Sequence, residues 1–149
     1  MNENISMASR KTYLRNLLLQ RFDWMEERVL EHAVVSGYGF ITPAMNRLFA
    51  HMWGQPVGLS ELSRRLGISR QAVHKLASEA ARHGLVEFVA STEDARVVML
   101  RFTEAGWAMS ARAARDLDAI EAAIAAKLGA TKVAQLKALL AEAWSDEEA

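Results

Sequence analysis

The feature that most constrains this chain is the junction Gly67-Ile68-Ser69, which separates two short amphipathic segments by only three residues. Glycine tolerates the left-handed backbone that stops a helix abruptly, and serine accepts from the first free N–H groups of the next one. Ser60 is expected to cap the first segment, with Leu62 and Leu66 turned inward. Ser69 caps the second, which runs to about His83 before Gly84 stops it. A turn this short lays the second helix across the first, with Val73 placed to pack into the crossing, and that is a helix-turn-helix. In the second helix Ala72, Val73, Leu76, Ala77 and Ala80 share one face. Arg70, Gln71, His74, Lys75 and Ser78 are left on the other.

From Leu85 to Phe102 the apolar period changes from helical to two. Val86 and Phe88 mark one strand and Val98, Leu100 and Phe102 the next, with Ser91-Thr92-Glu93-Asp94 at the tip of the hairpin. A helix-turn-helix followed at once by a two-stranded hairpin predicts a winged helix.

The flanks are helical. Leu14, Leu18, Phe22, Met25 and Val29 recur in steps of three or four, predicting a long helix over 9–33. Ser36-Gly37-Tyr38-Gly39 breaks it. Thr42 and Pro43 open a helix with Met45, Leu48, Phe49 and Met52 on one face, ended by Gly54-Gln55-Pro56. After the hairpin, Thr103 caps a long alanine-rich helix carrying Trp107, Ala114, Leu117, Ile120, Ile124 and Leu128. Gly129 ends it, and Thr131 opens a last helix with Val133, Leu136, Leu140 and Trp144 on one side. The acidic end after it is expected to fray. The fold class expected is therefore mainly α with a small β-hairpin wing. Residues 1–149 are read as a single domain, with the winged helix-turn-helix unit at 42–103 and dimerisation helices at 9–33 and 104–145. Those helices carry more apolar surface than so small a unit can cover, which asks for a second copy of the chain.

Charge points to the partner only once it is located. Lys and Arg total 18, as do Asp and Glu, yet between Ser60 and His83 five cations (Arg64, Arg65, Arg70, Lys75, Arg82) face two acids, Glu61 and Glu79. Acids gather instead at Asp146, Glu147 and Glu148. The outward face of the second helix suits the major groove of double-stranded DNA. Arg bonds bidentately to guanine, Gln to adenine, and Ser, His and Lys to bases or phosphates. Ser69, Arg70, Gln71, His74, Lys75 and Ser78 are the expected DNA contacts. Arg96 on the wing is a further one, placed for the minor groove and oriented by Asp94, although the same pair would serve equally as a surface salt bridge.

Other chemistries find little support. The chain has no cysteine, so disulfides, thiolate metal sites and cysteine oxidation sensing are excluded. His32, His51, His74 and His83 have neither the spacing nor the flanking carboxylates of a metal site. There is no Gly-rich phosphate loop, Gly-x-Ser-x-Gly turn or His-Glu-x-x-His helix, and the chain is read as neither an enzyme nor a cofactor binder. No apolar run reaches the roughly 18 residues of a membrane span and no signal peptide is evident, so a cytoplasmic protein is expected.

From Leu59-Ser60-Glu61-Leu62 through Leu85-Val86 and Asp94-Ala95-Arg96 to Phe102-Thr103-Glu104-Ala105-Gly106, the chain resembles the MarR family of bacterial regulators. The resemblance covers nearly the whole chain, with one departure: the middle wing position, usually Arg, is Ala95. It implies a homodimer whose terminal helices interdigitate and a transcription regulator, expected here as a repressor on an inverted-repeat operator. It also implies release by a small aromatic ligand bound between the dimer helices and the winged unit. Trp24, Met45, Phe49 and Trp107 are the candidate pocket residues, with Phe40 and Trp53 nearby. The competing reading is a winged helix used for protein contact, in which the Arg70–Ser78 face meets an acidic protein surface.

Overall fold

In the computed structural model, residues 13–52 and 54–148 are described. The elements are α1 (Leu14–Val35), α2 (Pro43–Ala50), β1 (Val57–Gly58), α3 (Leu59–Leu66), α4 (Arg70–Arg82), β2 (Val86–Ala90), β3 (Val98–Phe102), α5 (Glu104–Leu128) and α6 (Ala130–Ala141), followed by a 3-10 turn at Asp146–Glu148. The chain divides into two compact units, Met1–Ala114 and Arg115–Ala149.

The first unit contains the winged helix. Met45, Leu48, Leu62, Val73, Ala77, Ala80 and Leu100 are wholly inaccessible and form its centre, closed by Leu59, Leu66, Leu85, Val86, Phe102 and Met109. These come from α2, α3, α4, the sheet and the start of α5, so the predicted faces meet in one core. Three local caps set the helix starts. Thr42 Oγ1 accepts from Met45 N at 3.1 Å, Ser69 Oγ from Ala72 N at 3.1 Å, and Thr103 Oγ1 from Gly106 N at 3.1 Å. Gly67, at φ +66°, takes the left-handed turn that ends α3.

The entry to α5 is tied to the sheet. Thr103 N donates to Leu85 O at 3.1 Å while its hydroxyl donates to Gly84 O. Gly106 packs so closely behind it that a Cβ there would lie 1.9 Å from Leu85 O. The sheet is antiparallel in the order β1-β3-β2, with Val86 opposite Phe102, Phe88 opposite Leu100 and Ala90 opposite Val98. Val57 and Gly58 pair with Leu100 and Met99 to add a third strand. Two residues carry no readable period, and their strand status exists only through β3.

Several local expectations are corrected. Ser60 does not cap α3. The helix already begins at Leu59 with Gly58 at the N-cap, because β1 delivers the chain there in extended form. Thr131 likewise lies inside α6, whose N-cap is Gly129. Helix α2 ends at Ala50, before the Gly54-Gln55-Pro56 breaker, and α1 continues to Val35. Ala72 is exposed rather than inward, since Val73, Ala77 and Ala80 take the buried side of α4. Trp144 lies beyond the end of α6, where its Nε1 donates to Leu139 O at 3.0 Å and its backbone N to Glu148 Oε2 at 2.9 Å. The expected helical start at Ser9, and Trp53, fall outside the described residues.

The second unit is helical, and α6 buries none of its residues. Leu117, Leu128, Leu136, Leu139, Leu140 and Trp144 are all exposed there, while Ile120 is buried. Lys137 bridges to Glu121 at 2.6 Å, joining the two helices of this unit. Among the described residues no helix is long and apolar enough to cross a membrane.

Candidate nucleic-acid interface

The interface is built by α3 holding α4. Leu59, Leu62 and Leu66 bury one side of α3. At its end Gly67 N and Ile68 N both donate to Ser63 O, at 2.9 and 3.3 Å, and the Ser63 hydroxyl donates to Ile68 O. The turn is thus closed from within, and its sharpness sets the crossing of the two helices. Ser69 then caps α4, whose first turn has no acidic residue. Two effects coincide there: uncapped backbone N–H groups and the positive end of the helix dipole favour an approaching phosphate.

Arg70, Gln71, His74 and Lys75 are exposed along one side of α4 while Val73, Ala77 and Ala80 anchor the other. All four sit where the spacing places them. Ser78 is half-buried, with Oγ 3.4 Å from His74 Nδ1. The His74 ring is stacked on Phe88 of β2, centroids 5.2 Å apart and planes 24° from parallel. Sequence periodicity assigns Phe88 to the strand core and says nothing of this contact, which joins two elements separated by a turn. At the far end of α4, His83 stacks on Phe40 with centroids 3.9 Å apart and planes 8° from parallel.

On the wing the loop is closed by Ser91 N donating to Val97 O and Val97 N to Asp94 O, both at 2.9 Å. Asp94 organises the tip. Its Oδ1 accepts from Arg96 N at 3.0 Å and Nε at 3.1 Å, and Oδ2 accepts from the guanidinium at 3.2 Å. The Arg96 side chain and then its backbone N–H hold the Asp94 carboxyl below the usual carboxylate range. Arg96 nonetheless keeps 90% of its side chain exposed. The pair is therefore a salt bridge that leaves most of the guanidinium exposed.

The two cations of α3 and Arg101 of β3 are committed to partners. Arg64 pairs with Glu61, whose second neighbour Arg65 sits at 3.0 Å and also donates to His51 O at 2.9 Å. The Arg64 hydrogen bond first, and Arg65 after it, lower the Glu61 carboxyl. Arg101 pairs across the sheet with Glu87 at 2.7 Å.

The candidate pocket residues lie in three settings. Met45 is wholly buried in the core. Phe49 and Trp107 both lean on Phe102, at 5.8 and 5.2 Å between centroids. Trp24 is partly exposed beneath the Arg28 guanidinium, 5.5 Å from its centroid. A cleft of about 470 Å³ lies beside β1 and α3, lined by Gln55, Pro56, Val57, Gly58, Glu61, Arg65 and Met99. Among the described residues no group of three or more His, Cys, Asp or Glu could hold a metal ion.

Residues 54–97, which run from before β1 to the wing tip, match the sequence profile of the MarR family. This segment is similar to the MarR family and has a winged-helix fold. Solved structures extend the likeness of fold to most of the chain. MarR from E. coli superposes with a TM-score of 0.70 at 20% identity, covering 86% of this chain and 93% of that one. YusO from Bacillus subtilis gives 0.61 at 21% identity over 95% and 96% of the two chains. The transcriptional regulator BldR from Sulfolobus solfataricus gives 0.64 at 13% identity over 94% and 98%. No curated protein sequence matches the chain. The MarR-family match takes in both Ser69–Ser78 and the Asp94–Arg96 wing tip, so the profile and the exposed face of α4 fall on the same surface.

Proposed function

We propose that the chain is a sequence-specific transcriptional regulator that binds double-stranded DNA as a homodimer on an inverted-repeat operator. The observation that carries this reading is α4. It is a capped helix, anchored by Val73, Ala77 and Ala80, with Arg70, Gln71, His74 and Lys75 exposed in a row and no acid in its first turn. Ser69, Arg70, Gln71, His74 and Lys75 enter the major groove, with the half-buried Ser78 behind His74, and Arg96 reaches the minor groove with Asp94 behind it. The exposed Leu128, Leu136, Leu139, Leu140 and Trp144, together with Leu14, Leu17 and Phe22 of α1, support pairing with a second copy through the helices at 9–33 and 104–145. A two-fold dimer spaces its reading helices by one DNA turn, about 34 Å.

The regulator acts as a repressor, since a protein seated on an operator blocks the DNA that it covers. A small aromatic ligand releases it by changing the spacing of the two α4 helices. The ring series Phe49, Phe102 and Trp107 supports such a ligand site.

Selection of bound DNA from a random duplex pool is the test. An inverted repeat with half-sites about ten base pairs apart is expected. Arg70→Ala then weakens the selected operator by about ten- to a hundredfold, the equivalent of about 1.4–2.7 kcal/mol, and scrambled DNA by much less. Failure to enrich any sequence, with uniformly weak binding at low salt, would transfer the α4 face to a protein partner.

A further inference from the structure

The His74–Ser78–Phe88 contact joins the reading helix to the wing sheet. Phe88 packs against the core from β2, opposite Leu100. Its ring also supports that of His74, an exposed residue one helical turn into α4. Ser78, one turn further on, engages Nδ1 from the same helix at 3.4 Å. The ring is thus restrained twice: its plane by the stack and its rotation by the hydroxyl. With Nδ1 engaged within the protein, a partner outside the protein is met at Nε2.

We infer that Phe88 and Ser78 are positioning residues for His74, so that the wing strand sets the orientation of one base-reading side chain on α4. This rests on the DNA-binding reading given above. The physical reason is entropic. An exposed histidine has two side-chain torsions to lose when it forms a directional bond to a base edge, and a ring already held loses less. Preorganisation strengthens the bond to the correct base and leaves non-specific phosphate attraction nearly unchanged, because that attraction is tolerant of orientation. In this arrangement Ser78 acts through His74 rather than by reaching the groove itself, in keeping with its half-buried position.

The test begins with the operator selected by the unaltered protein and measures binding to the full set of single-base variants of one half-site. His74→Ala is expected to flatten the preference at one base pair by about tenfold, the worth of one well-formed hydrogen bond. Phe88→Leu and Ser78→Ala, made singly, are expected to reduce preference at that same base pair about threefold. They leave the remaining positions and the affinity for scrambled DNA within twofold. Phe88→Tyr keeps the stack and is expected to restore the preference. In the His74→Ala background, Phe88→Leu is expected to change nothing further, a non-additivity that a general packing defect would not produce.

Equal weakening at every base pair by Phe88→Leu, or additivity with His74→Ala, would overturn the inference while leaving the operator reading intact. If the unaltered protein selects no operator, the DNA-binding reading itself fails, so the two failures are distinguishable.

Discussion

The winged helix and the C-terminal unit of this protein treat their apolar residues in opposite ways. In the first, Leu62, Val73 and Leu100 are wholly inaccessible, and α3, α4 and the sheet cover one another. In the second, α6 buries nothing, and Leu136, Leu139 and Leu140 stand exposed. Both segments show apolar residues at helical spacing, so the pattern alone does not distinguish a face that meets its own chain from one that awaits another. The difference teaches where each unit's stability comes from. A unit that closes on itself has a free energy independent of protein concentration, whereas an uncovered face gains only when something covers it.

The largest expected effects are inside the closed unit. Gly106→Ala forces a methyl group onto the Leu85 carbonyl, a backbone contact that no side-chain movement relieves. It should cost about 3 kcal/mol or more in chemical denaturation. Leu62→Ala should cost about 2–5 kcal/mol through the cavity that it leaves. Both losses are expected to be the same at micromolar and at hundred-micromolar protein, and a strong concentration dependence would break the contrast between the two units.

Leu139→Ser should behave in the reverse manner. The winged helix keeps its secondary structure, but self-association measured by sedimentation weakens about tenfold, the equivalent of about 1.4 kcal/mol. An unchanged association constant would remove Leu139 from the proposed dimer face.

Smaller effects sharpen the description of the interface. Ser69→Ala removes the acceptor for Ala72 N and should destabilise by about 1 kcal/mol, with helicity lost first at the start of α4 in hydrogen exchange. The smallest effect concerns the wing tip. Because the Asp94 carboxyl is held below its ordinary value by Arg96, the ordering that the pair provides is complete above the ordinary aspartate value near 3.9. It is lost as pH falls through the lower folded-state midpoint. An NMR titration of Asp94 should show that depressed midpoint, and Arg96→Ala should raise it toward the ordinary value, with the lowering by the Arg96 backbone N–H retained. Since both groups are exposed, global stability should scarcely change.

Which parts of this architecture are legible in the sequence follows from the range of the interactions involved. Thr42, Ser69 and Thr103 are all found capping helices as expected, because each bond spans three residues and needs nothing from elsewhere. Gly67 ends α3 for an equally local reason, its positive φ. Ser60 and Thr131 have the same capping chemistry and do not use it. Their helices start earlier, at Leu59 and Ala130, where β1 and Gly129 have already brought the chain in. The candidate interface divides in the same way. The row Arg70, Gln71, His74 and Lys75 is written in helical period, whereas the Phe88 support beneath His74 pairs residues fourteen positions apart on different elements.

The sequence by itself thus determined the order of the helices, the helix-turn-helix junction, the hairpin and the polar face of α4, all set by periodicity and by bonds within one turn. Only the tertiary structure decided that Val57 and Gly58 form a strand, that Gly106 must lack a side chain, and that His74 rests on the wing. It also decided which apolar faces are covered within the chain, since burial depends on what another element brings to the same place.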